Sequence, residues 1–143
     1  MDALTDCILC QPLVESEVWV TPLWRVAVNR NQNLLGKCFI ALRRHDEDIC
    51  NLTEDEVSDL WETVRSVKGV LVARFQPDHF NYAFLMNQDR HVHLHVMPRY
   101  QAPRSFAGVE FEDSDAIEQR RLPDSTYLEI VAALREGFAG NFI

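Results

Sequence analysis

The 143-residue chain is 47% hydrophobic and carries 22 acidic against 14 basic side chains, a formal charge of −8. That is the size of one domain with apolar content enough for a core, and its net field repels a phosphate backbone, which disfavours broad nucleic-acid binding while leaving room for a small phosphorylated ligand held by local donors. No apolar run is long enough to span a bilayer, and Met1-Asp2-Ala3-Leu4-Thr5-Asp6 lacks the basic leader and apolar stretch of a secretory signal, so a cytoplasmic protein without a membrane partner is expected.

In chain order, Cys7-Ile8-Leu9-Cys10 followed by Pro12 predicts a compact knuckle rather than a helix. In a reducing compartment the four cysteines, Cys7, Cys10, Cys38 and Cys50, point to metal binding or burial rather than disulfides. The spacing of Cys7 and Cys10 serves zinc knuckles and thiol redox motifs alike. It lacks the strand-to-helix context that lowers a thiol pKa, which favours zinc, with two more ligands to be found elsewhere. Residues 17–21 and 24–29 read as a hairpin broken at Pro22, and Asn29 to Asn33 as a polar loop. Gly36 then opens onto a buried strand, Cys38 to Leu42, with Cys38 in the core.

Thr53, with Glu56 three residues on and acidic residues in the first turn, predicts a capped helix. Val57, Leu60, Trp61, Val64, Val67, Leu71 and Phe75 mark its packed face and Pro77 its stop. Phe80 to Met86 is a strand candidate, joined through Asn87 to Arg90 to a following strand that should pair with it antiparallel. The segment from Pro98 to Pro103 reads as irregular, and Phe106 to Phe111 as a further short strand. Asp124 or Ser125 caps a final helix bearing Tyr127, Val131, Leu134 and Phe138, with Gly140 beyond its end. No linker divides residues 1–143, and the order of elements predicts a single α+β domain: an antiparallel sheet with one long helix and a C-terminal helix.

The chemistry is concentrated in His91-Val92-His93-Leu94-His95-Val96-Met97-Pro98. Alternation with period two predicts a strand from 91 to 98 whose imidazoles share one face and whose apolar residues share the other. At about 3.3 Å per residue the outer histidines stand about 13 Å apart, too far for one metal to take all three. At least one imidazole is left for other work.

This stretch, continued by Pro98-Arg99, resembles the pattern of the histidine triad (HIT) superfamily of nucleotide hydrolases and transferases. The strand-loop-strand from Val28-Asn29-Arg30 through Gly36, Arg44-His45 ahead of the Thr53 helix, and Gln88-Asp89 before the triad extend the resemblance over roughly residues 5 to 105. It implies a HIT-like fold and a homodimer that cleaves at the α-phosphate of dinucleoside polyphosphates or nucleoside phosphoramidates, releasing a nucleoside monophosphate. It implies His93 as the nucleophile that becomes nucleotidylated and His95 as the phosphate contact. It implies a zinc held by Cys7, Cys10, His45 and His91, and four protein ligands make that zinc structural. Asn29 is expected at the ribose hydroxyls, Gln88 near the phosphates, and Ile8 and Leu9 at the base. The segment before the triad is short and lacks the Gly-Gln-Ser or Gly-Gln-Thr run of several branches. That departure motivates one rival, a nucleotide-binding sensor or scaffold with incidental hydrolysis; a metal-dependent hydrolase is another. His79 is expected at the surface without a role.

Overall fold

The computed structural model describes residues 6–114, 116 and 118–140. After a short 3-10 turn at Ile8–Cys10 come strands β1 (Glu17–Val20), β2 (Trp24–Val28) and β3 (Cys38–Leu42), and then helix α1 (Glu54–Phe75). β4 (His79–Ala83) and β5 (His93–Arg99) follow, then a small hairpin of β6 (Arg104–Phe106) and β7 (Val109–Phe111), and last helix α2 (Asp124–Gly140). Five strands form one antiparallel sheet in the order β1-β2-β3-β5-β4, so the histidine strand lies inside the sheet, between β3 and the edge strand β4.

Alternation explains which face is covered. Trp24, Val26, Val28, Cys38, Ile40, Leu42, Leu94 and Val96 join α1's Leu60, Val64, Val67 and Leu71 and α2's Ile130, Val131, Leu134 and Phe138 in one core. The helices therefore lie on one side of the sheet, and His93 and His95 project from the other. α1 starts with the predicted capping box, in which Thr53 accepts from Glu56 N–H and the Glu56 carboxylate accepts from Thr53 N–H. It ends at Gln76 in a left-handed conformation, one residue before Pro77.

Four expectations change. Val57 and Trp61, expected on the packed face of α1, are 40% and 55% exposed; they lie at the edge of the apolar stripe, where the sheet does not reach. The histidine strand runs 93–99 rather than 91–98. Val92 pairs instead through its backbone with Asp46 and Leu42, so His91 precedes the strand, and Pro98 stays inside it opposite Phe80. The strand expected over 80–86 occupies His79–Ala83 and has given way by Met86, whose φ is 51°, a turn conformation that ends sheet pairing. Residues 106–111 are the turn and second strand of a hairpin rather than one strand, because Ala107 and Gly108 both adopt positive φ.

Candidate active site and metal centre

β5 carries the central pair. His93 is 5% exposed, and its Nδ1–H donates to the His91 carbonyl at 2.6 Å. That bond fixes the tautomer and leaves the Nε2 lone pair as the nucleophilic position. His95 stands one pleat along, its ring centroid 4.8 Å from that of His93 and the planes at 73°. Burial, reinforced by His93 and Lys37, pushes its pKa down to about 4, so the ring is neutral near pH 7. Its Nδ1 is buried without a hydrogen-bond partner, a polar atom aimed where a ligand would satisfy it.

Both rings open into a cleft of about 420 Å³ that is also lined by Asn29, Lys37, Gln88, Asp89 and Gln119. The Oδ1 of Asn29 is buried and unpartnered, an acceptor suited to a hydroxyl donor. Gln88 is exposed on the cleft's rim. Ile8 and Leu9 are not among the lining residues: Ile8 is 59% exposed and Leu9 is buried in the knuckle. Their expected contact with a base finds no geometric support, because the 3-10 turn points one outward and the other inward.

Behind the cleft lies a second cluster. One ligand atom from each of Cys7, Cys10, His45 and His91 falls within 4.8 Å of all the others. Nδ1 of His91 is 3.3 Å from the Cys7 sulfur and 3.5 Å from the Cys10 sulfur. Nδ1 of His45 is 3.3 Å from the Cys10 sulfur, and the two Nδ1 atoms are 3.2 Å apart. A tetrahedral zinc with bonds of about 2.0–2.3 Å would separate its ligands by roughly 3.3–3.8 Å, so these spacings fit. The second shell agrees. His91 Nε2–H donates to the Leu42 carbonyl at 2.6 Å, which leaves Nδ1 with a lone pair facing the two sulfurs, and burial lowers the His91 pKa and keeps the ring neutral, as a ligand must be.

The HIT domain model matches residues 16–102, the sheet from β1 through the histidine strand. The chain belongs to the HIT family. Across 78% of its length this HIT protein is 27% identical to a bis(5'-adenosyl)-triphosphatase of Dictyostelium discoideum, covering 76% of that protein. Solved folds are similar as well. A zinc-bound histidine triad family protein of Mycobacterium smegmatis matches with a TM-score of 0.69 at 17% identity, over 95% of each chain. A HIT family protein of Bacillus anthracis matches with a TM-score of 0.61 at 23% identity, over 92% of this chain and 96% of that one. The family and the curated relative support hydrolysis of nucleotides, and the fold is that of histidine triad proteins.

Two cleft residues of this HIT protein escape a reading of the sequence. Lys37 could have been found by counting back by twos from Phe39 and Ala41, which pair with His95 and His93. Gln119 carries no local signal. It reaches the cleft because the segment before α2 crosses the β2–β3 loop, where Gln32 N–H donates to the Arg120 carbonyl at 2.9 Å and Arg120 N–H to Asn31 Oδ1 at 2.8 Å.

Proposed function

We propose that this HIT protein hydrolyses dinucleoside polyphosphates or nucleoside phosphoramidates through a nucleotidyl-histidine intermediate. The observation that carries the reading is the tautomer of His93, whose Nδ1–H is held by the His91 carbonyl while the ring faces the cleft. The Nε2 lone pair attacks the α-phosphorus, a P–N bond forms, and the bond from phosphorus to the leaving group breaks with its electron pair going to that group. Water then attacks the same phosphorus and gives up a proton to solvent, the P–N bond breaks with its electron pair returning to Nε2, and a nucleoside monophosphate leaves with His93 restored. His95 meets the phosphate oxygens, Asn29 accepts from a ribose hydroxyl, and Gln88 contacts the phosphates. Splitting the displacement in two makes each step in-line and easier than direct attack by water.

Cys7, Cys10, His45 and His91 hold a zinc in this reading. It would supply structural cross-linking, since four protein ligands leave no open coordination position. The active form is a homodimer. β4 is an edge strand, and exposed Val72 of α1 shares a surface groove with its Tyr82. Edge-to-edge pairing of two β4 strands would cover both features, and light scattering at the monomer mass would overturn it. With Cys7 and Cys10 free and arranged for a metal rather than a disulfide, the cytoplasm is the compartment we assign.

Incubation with diadenosine triphosphate followed by acid-free mass spectrometry should show an added adenylate mapping to His93. His93→Ala should lose turnover by about 10³-fold or more while keeping nucleotide binding. Retained turnover in the pure variant would refute the mechanism.

A further inference from the structure

The loop between β2 and β3 delivers a cation to the cleft. Lys37 directly precedes β3, whose Phe39 pairs with His95. By the strand's period of two, Lys37 shares the histidine face and is the diagonal neighbour of His95. It lines the cleft with both histidines. The loop that holds it is built rigidly: Gln32, fully buried, donates from Nε2 to the carbonyls of Asn29 and Lys37, each at 2.8 Å, and accepts from Gly36 N–H at 2.9 Å. The ammonium itself makes a long contact of 3.4 Å to Asn33 Oδ1.

The charge balance of the site calls for such a group. A phosphorylated substrate enters a chain of net charge −8, past Asp89 on the cleft wall. His93 has to be neutral to attack, and His95 is neutral near pH 7. Arg30, the other cation lining the cleft among the described residues, is committed to an ion pair with Glu15 and stacks 4.3 Å over the Tyr127 ring. Lys37 is left as the positive charge available to phosphate oxygens. Burial lowers the Lys37 pKa from its ordinary value, a cost to the ammonium that an incoming phosphate would offset.

We propose that Lys37 is a catalytic residue whose ammonium binds the non-bridging oxygens of the substrate's phosphates beside His95, a role that rests on the nucleotide reading above. A compact cation with three donors follows those oxygens as the phosphoryl group flattens, and it offsets charge that grows on the departing phosphate.

Lys37→Met keeps the length of the side chain and removes the charge; Lys37→Arg keeps the charge. Calorimetric titration of the intact protein with adenosine and with ADP separates the nucleoside from the phosphates. For Lys37→Met, adenosine affinity should be unchanged, ADP affinity should fall about tenfold, and kcat/KM on diadenosine triphosphate should fall about 10²-fold. Lys37→Arg should recover part of both losses. An unchanged ratio of ADP to adenosine affinity together with unchanged turnover in Lys37→Met would overturn the role of Lys37 and leave the nucleotide reading standing. A wild-type protein that binds neither adenosine nor ADP would overturn both. Should Lys37→Met melt early, Lys37→Gln supplies the neutral comparison.

Discussion

Burial decides how the two imidazoles on β5 divide their work. His95 gains no hydrogen bond at Nδ1 and is surrounded by His93 and Lys37, so its charged form is disfavoured and its pKa falls to about 4, against about 6.5 in an unfolded chain. The folded state then binds fewer protons than the unfolded state between those values. Stability contributed by neutral His95 is fully present above about pH 6.5 and is lost as pH falls through 4. Denaturant midpoints measured from pH 7.5 to 4 should therefore drop more steeply for the wild type than for His95→Gln, which cannot titrate in this range. Parallel curves would place the acid sensitivity elsewhere. Cys38, by contrast, is driven up to about 12 by complete burial and is a thiol at every physiological pH, which suits its place in the core.

At the scale of elements, the β2–β3 loop is held by a buried side-chain amide rather than by repeating backbone pairing. Gln32 satisfies the Asn29 carbonyl and Gly36 N–H and adds a second donor to the Lys37 carbonyl, which also accepts from Asn29 N–H at 3.1 Å. Gly36 follows at a φ of 86°, and a Cβ there would lie 2.9 Å from the Phe75 ring and 3.0 Å from Leu71, so the loop seats directly on α1. Gln32→Ala removes the partners of the Asn29 carbonyl and Gly36 N–H and leaves the Lys37 carbonyl with Asn29 N–H alone. It should cost about 2–4 kcal/mol of unfolding free energy and raise KM through displacement of Asn29 and Lys37, as read by denaturation and steady-state kinetics. A stability loss below about 0.5 kcal/mol would show that water takes over the bonds. The entry to α1 follows the same logic: buried Glu56 accepts from Arg44 Nε and Nη2 at 2.8 and 2.9 Å while completing the capping box, which ties the segment carrying His45 to the helix start.

Across the whole molecule, the metal cluster joins the N-terminal knuckle, the exit of β3 and the approach to β5, elements distant in sequence. A zinc there would bind the folded arrangement and stabilise it, whereas the reacting phosphate would meet His93, His95 and Lys37. Chelation should lower Tm by several degrees before turnover declines, because His93 is oriented by the backbone carbonyl of His91 and not by the ring. Elemental analysis should find one zinc per chain. Activity lost at once on chelation, at unchanged Tm, would favour a catalytic metal.

Local pattern was enough wherever one short stretch contains its own physics. Period-two alternation places Leu94 and Val96 opposite His93 and His95, the box at Thr53 and Glu56 starts a helix, and Cys38 to Leu42 reads as a buried strand, because each depends on neighbours a few residues away. Helical spacing marks a stripe but not the width that packing covers, and Val57 and Trp61 fall outside that width. The sequence by itself determined an α+β domain in which His93 and His95 share a strand face. Only the tertiary structure decided that His91 precedes the strand, that Lys37 and Gln119 join the cleft, and that Ile8 and Leu9 do not line it. The reason is physical: a metal cluster or a cleft wall is made of contacts between chain segments tens of residues apart, and their meeting is set by how the sheet and helices pack rather than by any local preference.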